Sequence, residues 1–363
     1  MKYKIMHKET VIAFADDERI TEILIPELCP ACFVIGMPLT RWLDDRMVDT
    51  HRSHSRRLFK ALRMRADADI SELIGIGHGI SITDNWWVEN ADENLNYVLL
   101  KKYNEELADI ALFGASDSQS GDISGYRELG TVGSFEKAWR FHDGAWYMYK
   151  QGSTAELISE YYAYLFLNAM QVPVAEYKIQ RTVSQETGLE SVCIITQDFT
   201  KNAAYDFEPF CNYYSDREEP DYILSRINQQ FHGAYVMMLF YDALLYNGDR
   251  HNQNVGYLRN SETGNLIGLA PYFDFNLSLA AVSIPRIDPE KGNIFTRDFL
   301  ANDICRRILK ERHPDKEQIV QAIHAATSGT KSAFPNEPFK YLLFEDYILH
   351  TYEFLAFHLY SGF

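Results

Sequence analysis

The amino-acid sequence predicts an α+β protein of two lobes, a β-rich lobe followed by a helical one, behind an N-terminal accessory region. Three observations predict it. Residues 1–110 mix short strand-like runs with one helix-like segment, residues 111–202 show period-two strand patterns around a hairpin turn, and residues 203–363 carry apolar residues at helical spacing. With 363 residues, 46% of them apolar and 14% aromatic, the chain can pack a core in each lobe.

In the accessory region "EILIP" and "FVIGM" read as strands and Thr50 to Met64 as a helix, and "SITDNWWVEN" brings in the pair Trp86-Trp87. No reactive groups cluster there. Cys29 and Cys32 form a C-P-A-C, but zinc would need a second such pair, and Cys193, Cys211 and Cys305 are scattered. The two cysteines therefore read as small residues beside a proline turn. An odd count of five in a chain this long fits a reducing compartment rather than a disulfide framework.

The β-rich lobe opens on a Gly/Ser/Asp stretch, "GASDSQSGDISG", followed by "ELGTVGSFEKAWRF", a turn at "HDG" and the strand "AWYMYK", which ends on Lys150. Alternation about a short glycine-containing turn predicts a hairpin. A helix follows, with Ser153 or Thr154 as N-cap, Glu156 in its first turn, and Leu157, Tyr161, Tyr164, Leu165 and Leu167 at helical spacing. Two strands, "VAEYKIQR" and "SVCIITQDF", then flank the turn-rich "TVSQETGLE".

In the helical lobe "ILSRINQQFHGAYVMMLFYDALLY" reads as one long apolar helix stopped by Asn247-Gly248, and further helices are predicted at about 297–311, 315–328 and 344–360. Two lobes of different class imply a cleft between them.

Charge narrows the function. With 35 basic against 51 acidic residues, the formal net charge of −16 disfavours direct binding of nucleic acid or of an anionic membrane surface. The basic run His51 to Arg65 reads as a solvated helix face. No stretch approaches the ~20 apolar residues of a membrane span. Charges at the N-terminus occupy the place of a signal peptide's apolar region, so the expected compartment is the cytoplasm, with secretion as an effector left open.

The chemistry concentrates in "NGDRHNQNVGYL" and "APYFDFN". Asp249 falls just past a helix end, Asn254 five residues later, and Asp274 twenty-five residues after Asp249, beyond a hairpin-like pair of runs, "VGYL" and "LIGL". Phosphoryl transfer needs a carboxylate for the nucleophile, oxygen ligands for Mg²⁺ and a cation on the nucleotide phosphates. An Asp, an Asn five residues on, a hairpin and a second Asp is the order that protein kinases use. Upstream, Lys150 at a strand end suits the nucleotide phosphates, a following helix offers Glu156 and Glu160, and "GTVGSFEK" supplies a flexible loop. A metallohydrolase fits less well, since His251 has no second histidine at ligand spacing.

These residues resemble the HipA-like serine/threonine kinases, whose catalytic loop reads Asp-Arg-His-x-x-Asn and whose metal aspartate lies in a Tyr-Asp context. The resemblance runs from about residue 35 to 360, with the catalytic loop its most specific part. Upstream, "SITDNWWVEN" is similar to the family's Ser-x-x-Asp-x-Tyr-Trp signature, and Lys137 to Trp139 to a Lys-x-Trp loop end. The resemblance implies a bilobal, protein-kinase-like fold that takes ATP and Mg²⁺. It implies Asp249 as catalytic base, His251 as a brace of the loop, Asn254 and Asp274 as Mg²⁺ ligands, and Lys150 on the α and β phosphates. Glu160 would be the helix partner of Lys150, with Glu156 the alternate. Gly130, Gly133 and Ser134 would lie over the phosphates, and Thr196, Gln197, Asp198 and Phe199 would form the hinge that meets adenine. The resemblance implies that Ser134 or Thr131 would play the part of the loop serine whose phosphorylation inhibits some of these kinases. Two departures stand out: "GTVGSFEK" is not the eukaryotic glycine-rich pattern, and the metal segment reads Asp-Phe-Asn, not Asp-Phe-Gly.

The expected activity is transfer of the γ-phosphoryl group of ATP to a Ser or Thr hydroxyl, most naturally on a protein, with autophosphorylation and an antitoxin-like partner as further expectations. The competing reading is a nucleotide-binding pseudokinase, or a partner-binding module of a toxin–antitoxin or host-interaction system. The complete set Lys150, Asp249, Asn254 and Asp274 argues against it.

Overall fold

Alternation in "KYKIMH" buries Tyr3 and Ile5 on one face of strand β1 (Lys2–His7). In the computed structural model, which describes residues 2–46, 77–101, 103–114, 136–183, 190–284, 294–337 and 341–361 with the isolated positions 54, 74, 288 and 292, this strand is central to an N-terminal sheet. The order is β3-β2-β1-β4, with β2 (Thr10–Asp16), β3 (Arg19–Ile23) and β4 (Trp86–Asn90). Asp17 and Glu18, at φ 45° and 64°, make the tight turn between β2 and β3.

The expected strand "FVIGM" does not form. Gly36 turns the chain at φ 86°, its N–H bonds to the Ile20 carbonyl at 2.7 Å, and Val34 and Ile35 are left exposed. Apart from the isolated position 54, the expected helix at Thr50 to Met64 lies outside the described residues, as do Gly130, Thr131, Gly133 and Ser134.

Contacts divide the chain into two compact units. The first comprises Met1–Gln151, Gln180–Glu208 and Tyr257–Ile267. Its N-terminal sheet packs over Trp86, Ile5, Ile12 and Ile20, all almost fully buried. Helix α1 (Glu105–Phe113) ends at Gly114 in a left-handed conformation. A second sheet follows in the order β5-β6-β8-β7, made by β5 (Lys137–His142), β6 (Ala145–Lys150), β7 (Tyr177–Val183) and β8 (Glu190–Gln197). Between β5 and β6 the hairpin turns on Asp143 and Gly144, at φ 53° and 77°, as the sequence predicts.

Strands β9 (Tyr205–Pro209), β10 (Gly256–Asn260) and β11 (Leu266–Leu269) form a third sheet in the order β11-β10-β9. Buried polar groups fasten β9 and β10 to the N-terminal region. Arg259 pairs with Glu208 at 2.5 Å and donates to the Cys29 and Glu27 carbonyls. Asp206 meets the His7 ring at 2.8 Å and accepts from the Asn85 amide.

The second unit comprises Gly152–Ile179, Pro209–Gly256 and Gly268–Phe363. Helix α2 (Thr154–Ala169) opens with the expected capping box, in which Ser153 accepts from the Glu156 N–H and Glu156 accepts from the Ser153 N–H. The long apolar helix expected before the catalytic motif is shorter than predicted. Asn228 accepts the Gln230 N–H and restarts the chain, so that helix α3 spans only His232–Leu244. Its stop is also set earlier, by Tyr246 at φ 49° and a bond from the Asn247 N–H to the Asp242 carbonyl at 2.9 Å.

Helices α4 (Ile294–Ala301), α5 (Asp303–Arg312), α6 (Lys316–Ala333) and α7 (Tyr341–Ser361) complete the unit. Asn302 caps α5 through the Cys305 N–H, dividing the segment expected as one helix at 297–311. Gly329 permits close packing of α6 on α2, since a Cβ there would lie 2.6 Å from Leu165. Among the described residues no helix is long and apolar enough to cross a membrane.

Candidate active site

The loop after α3 is built on one buried carboxylate. Asp242, 3% exposed, receives the Arg250 guanidinium at 2.9 and 3.0 Å and the Asn247 side-chain amide at 2.8 Å. Burial is the largest influence and works against the charge on Arg250, but Asp242, through its charge and its hydrogen bonds, and then Asp274 together outweigh it, so the guanidinium is held above its ordinary pKa. A planar donor fork is needed here, because the same group also serves two other segments.

Nη1 of Arg250 donates to the Asn254 carbonyl at 2.8 Å and to the Phe273 carbonyl at 2.9 Å, and the guanidinium lies 4.9 Å from the Phe275 ring centre. One side chain thereby ties the helix end, the Asp249–Asn254 loop and the Phe273–Asp274 segment together. Within the loop, the Asn254 amide donates to the Asp249 carbonyl at 2.7 Å, and its oxygen accepts the His251 N–H at 3.0 Å. The His251 ring accepts the Gln253 N–H at 3.2 Å, which braces the turn. Asn252 anchors the loop from outside by donating to the Ser215 and Arg217 carbonyls. Asp249 itself is partly exposed.

Asp274 adopts φ 61°, a left-handed conformation that a non-glycine residue keeps only when its surroundings hold it. Its N–H donates to the Tyr177 hydroxyl at 3.3 Å. That hydroxyl is pushed well above the usual tyrosine range, first by burial and then by the Glu160 and Asp274 carboxylates, with Glu160 also as its hydrogen-bond partner. Tyr177 thus stands between Glu160 on α2 and Asp274. On the far side, Ser159 donates to the Ser278 carbonyl at 2.7 Å and accepts the Ala281 N–H at 2.9 Å.

Asp249, His251, Asn254, Asp274 and Glu160 are therefore joined within the second unit by short hydrogen-bond paths. Lys150, Thr196, Gln197, Asp198 and Phe199 belong to the first unit. Lys150 is buried at the end of β6, opposite Ile194 of β8. Asp198 is spent on its own turn: its carboxylate accepts the Thr200 hydroxyl and the Thr200 and Asn202 N–H groups at 2.7–2.8 Å. Phe199 packs edge-on against Phe207.

Sequence reasoning passed over Arg250, Asp242, Tyr177 and Ser159. A lone acid inside the apolar run "VMMLFYDALLY" is the one signal that marks Asp242, since a buried carboxylate needs a partner.

Among the described residues no three His, Cys, Asp or Glu side chains gather as a transition-metal site would require. Mg²⁺ instead takes hard oxygens from one or two carboxylates together with substrate phosphates, and a carboxylate and an amide oxygen of that kind are what Asp274 and Asn254 carry.

No family model matches the chain, and no curated protein does. Among solved structures, HipA of Shewanella oneidensis MR-1, determined with HipB and operator DNA, aligns over 98% of this chain and 96% of its own, with a TM-score of 0.53 and 12% identity. The proinflammatory kinase CtkA of Helicobacter pylori aligns over 61% of this chain and 90% of its own, with a TM-score of 0.38 and 20% identity. The mixed α/β architecture expected from the sequence is found, and along nearly its whole length this chain has the fold of HipA.

Proposed function

We propose that the protein is an ATP- and Mg²⁺-dependent kinase that phosphorylates a Ser or Thr hydroxyl, with a protein as the acceptor. The observation that carries this reading is the position of Arg250. By bonding Asp242, Asn254 and Phe273 together, it holds the loop of Asp249 and Asn254 against the segment that presents Asp274. Rigid placement of carboxylate and amide groups is what phosphoryl transfer asks of a protein, because most of the catalysis is positioning and charge stabilisation.

In this reading Asp249 orients the acceptor hydroxyl and takes its proton as the oxygen bonds to the γ-phosphorus and the bond to the leaving ADP oxygen breaks. Asn254 and Asp274 hold Mg²⁺, which when bound neutralises phosphate charge. Lys150 contacts the α and β phosphates, Glu160 is the acid that positions it, and the backbone of 196–199 meets adenine. The fold of HipA, solved with HipB, supports an antitoxin-like protein as partner.

The test is incubation with γ-labelled ATP and Mg²⁺ beside Asp249→Ala, read by intact mass and by phosphate release. Phosphate gained or released by the wild type alone supports the kinase. Nucleotide bound with neither outcome, in the presence of candidate protein acceptors, supports the pseudokinase reading instead.

A further inference from the structure

The end of helix α3 carries a tyrosine where glycine is usual. The Asn247 N–H reaches back to the Asp242 carbonyl at 2.9 Å, which puts Tyr246 at the left-handed position of the ending, with φ 49°. Glycine commonly takes that position, because a Cβ there crowds the following carbonyl oxygen. Gly248 lies only two residues on, yet the chain does not make its left-handed turn there. A bulky residue keeps such a conformation only where its surroundings hold it.

Two aromatic rings supply the hold. Tyr246, half-buried, meets Phe295 of α4 edge-on at 5.5 Å and 89°, and Tyr347 of α7 at 5.4 Å and 78°. Tyr347 is itself buried and donates from its hydroxyl to the Ala243 carbonyl in the last turn of α3 at 3.2 Å. Just before the turn, the Leu245 carbonyl accepts the Leu279 N–H at 3.2 Å. Just after it, the Asn247 side chain donates to Asp242 at 2.8 Å and accepts the Asp249 N–H at 3.3 Å. Tyr246 is thus the joint between a helix end fixed by α7 and the residue on which the backbone of Asp249 hangs.

We infer that Tyr246 is a positioning residue for phosphoryl transfer, its ring, braced by Phe295 and Tyr347, setting the direction in which the chain leaves α3 and hence the place of the Asp249 carboxylate. The inference rests on the kinase reading and adds a residue to it. A helix ending alone would be served at least as well by glycine, which adopts the left-handed conformation without strain. A need for the ring accounts for the tyrosine. Misplacing a reacting group by about 1 Å lowers a rate by roughly a hundredfold even when the ligand is still bound, so the effect should fall on turnover.

The experiment measures melting temperature, Mg²⁺·ATP affinity and kcat for ATP turnover in wild type, Tyr246→Gly and Tyr246→Phe. Tyr246→Gly is expected to fold and to bind Mg²⁺·ATP as the wild type does, while kcat falls about ten- to a hundredfold. Tyr246→Phe, which keeps the ring, should recover most of that loss. If Tyr246→Gly does not fold, Phe295→Leu takes its place, since it removes one of the two rings that brace Tyr246, and the same split between affinity and kcat is expected. Wild-type kcat in the folded variant overturns the role of Tyr246 and leaves the kinase reading intact. An equal loss of affinity and kcat also overturns it, because the site as a whole would then have loosened. No turnover by the wild type overturns both.

Discussion

Arg250 and Asp242 form a two-pronged ion pair at 2.9 and 3.0 Å inside the helical unit, and the same guanidinium carries the loop that contains Asp249. Removing one partner of such a pair strands the other charge in the interior. Arg250→Ala is expected to cost about 3–5 kcal/mol of stability, measured by urea denaturation. A loss below about 1 kcal/mol would show that the pair does not organise the loop.

The Tyr177 hydroxyl relates Glu160 to the backbone of Asp274. Tyr177→Phe keeps the ring and deletes that link, so stability should fall by only about 1 kcal/mol. The larger effect is expected on metal: the Mg²⁺ concentration needed for half-maximal nucleotide binding should rise several-fold. An unchanged Mg²⁺ dependence would mean that Asp274 keeps its left-handed conformation without the tyrosine.

Ser159 serves two backbone groups, the Ser278 carbonyl and the Ala281 N–H. Ser159→Ala leaves both inside the protein without that partner and should destabilise by about 1–3 kcal/mol. Thermal denaturation would test this, and a melting point equal to the wild type's would contradict it.

Alkaline pH should weaken the fold. The hydroxyls of Tyr97, Tyr177, Tyr235 and Tyr272 are all held above the ordinary tyrosine range, chiefly by burial. The folded protein therefore keeps these protons where the unfolded chain, ionising near pH ~10, has lost them. Their contribution is fully present below pH ~10 and declines as pH rises beyond it. Tyrosinate absorbance should lag until unfolding and then appear together with it; a gradual rise in the folded protein would count against buried, neutral tyrosines.

How much of this was legible in the sequence depends on whether the cause was local. The hairpin at Asp143-Gly144 and the cap at Ser153 were readable because turn and cap chemistry acts over a few residues. The break at Asn228 was not, since Ile227 and Phe231 keep helical spacing across it while the capping bond to Gln230 interrupts the helix. In the site, the resemblance marked Asp249, Asn254 and Asp274, but their supports lie elsewhere. Tyr177 is 97 residues from Asp274, and Ser159 is 119 from Ser278. Nor does spacing reveal that Arg259 reaches Glu27, 232 residues away, and fastens β10 to the N-terminal region.

Because of Arg259, the first 110 residues should not be removable. Their deletion takes away the carbonyl acceptors of Arg259 and the His7 and Asn85 partners of Asp206, leaving buried polar groups of β9 and β10 uncovered. The truncated chain is expected to be insoluble or to lack a cooperative unfolding transition, as followed by circular dichroism. A soluble, cooperatively folding fragment would show that the region is separable.

The most direct test of the central claim compares ATP turnover with Mg²⁺·ATP affinity in wild type, Asp249→Ala and Asp274→Ala. The account predicts that Asp249→Ala binds Mg²⁺·ATP nearly as well as the wild type while turnover falls by at least about a hundredfold, and that Asp274→Ala loses the Mg²⁺-dependent part of the affinity. Wild-type turnover in Asp249→Ala, or Mg²⁺ dependence retained in Asp274→Ala, would contradict it.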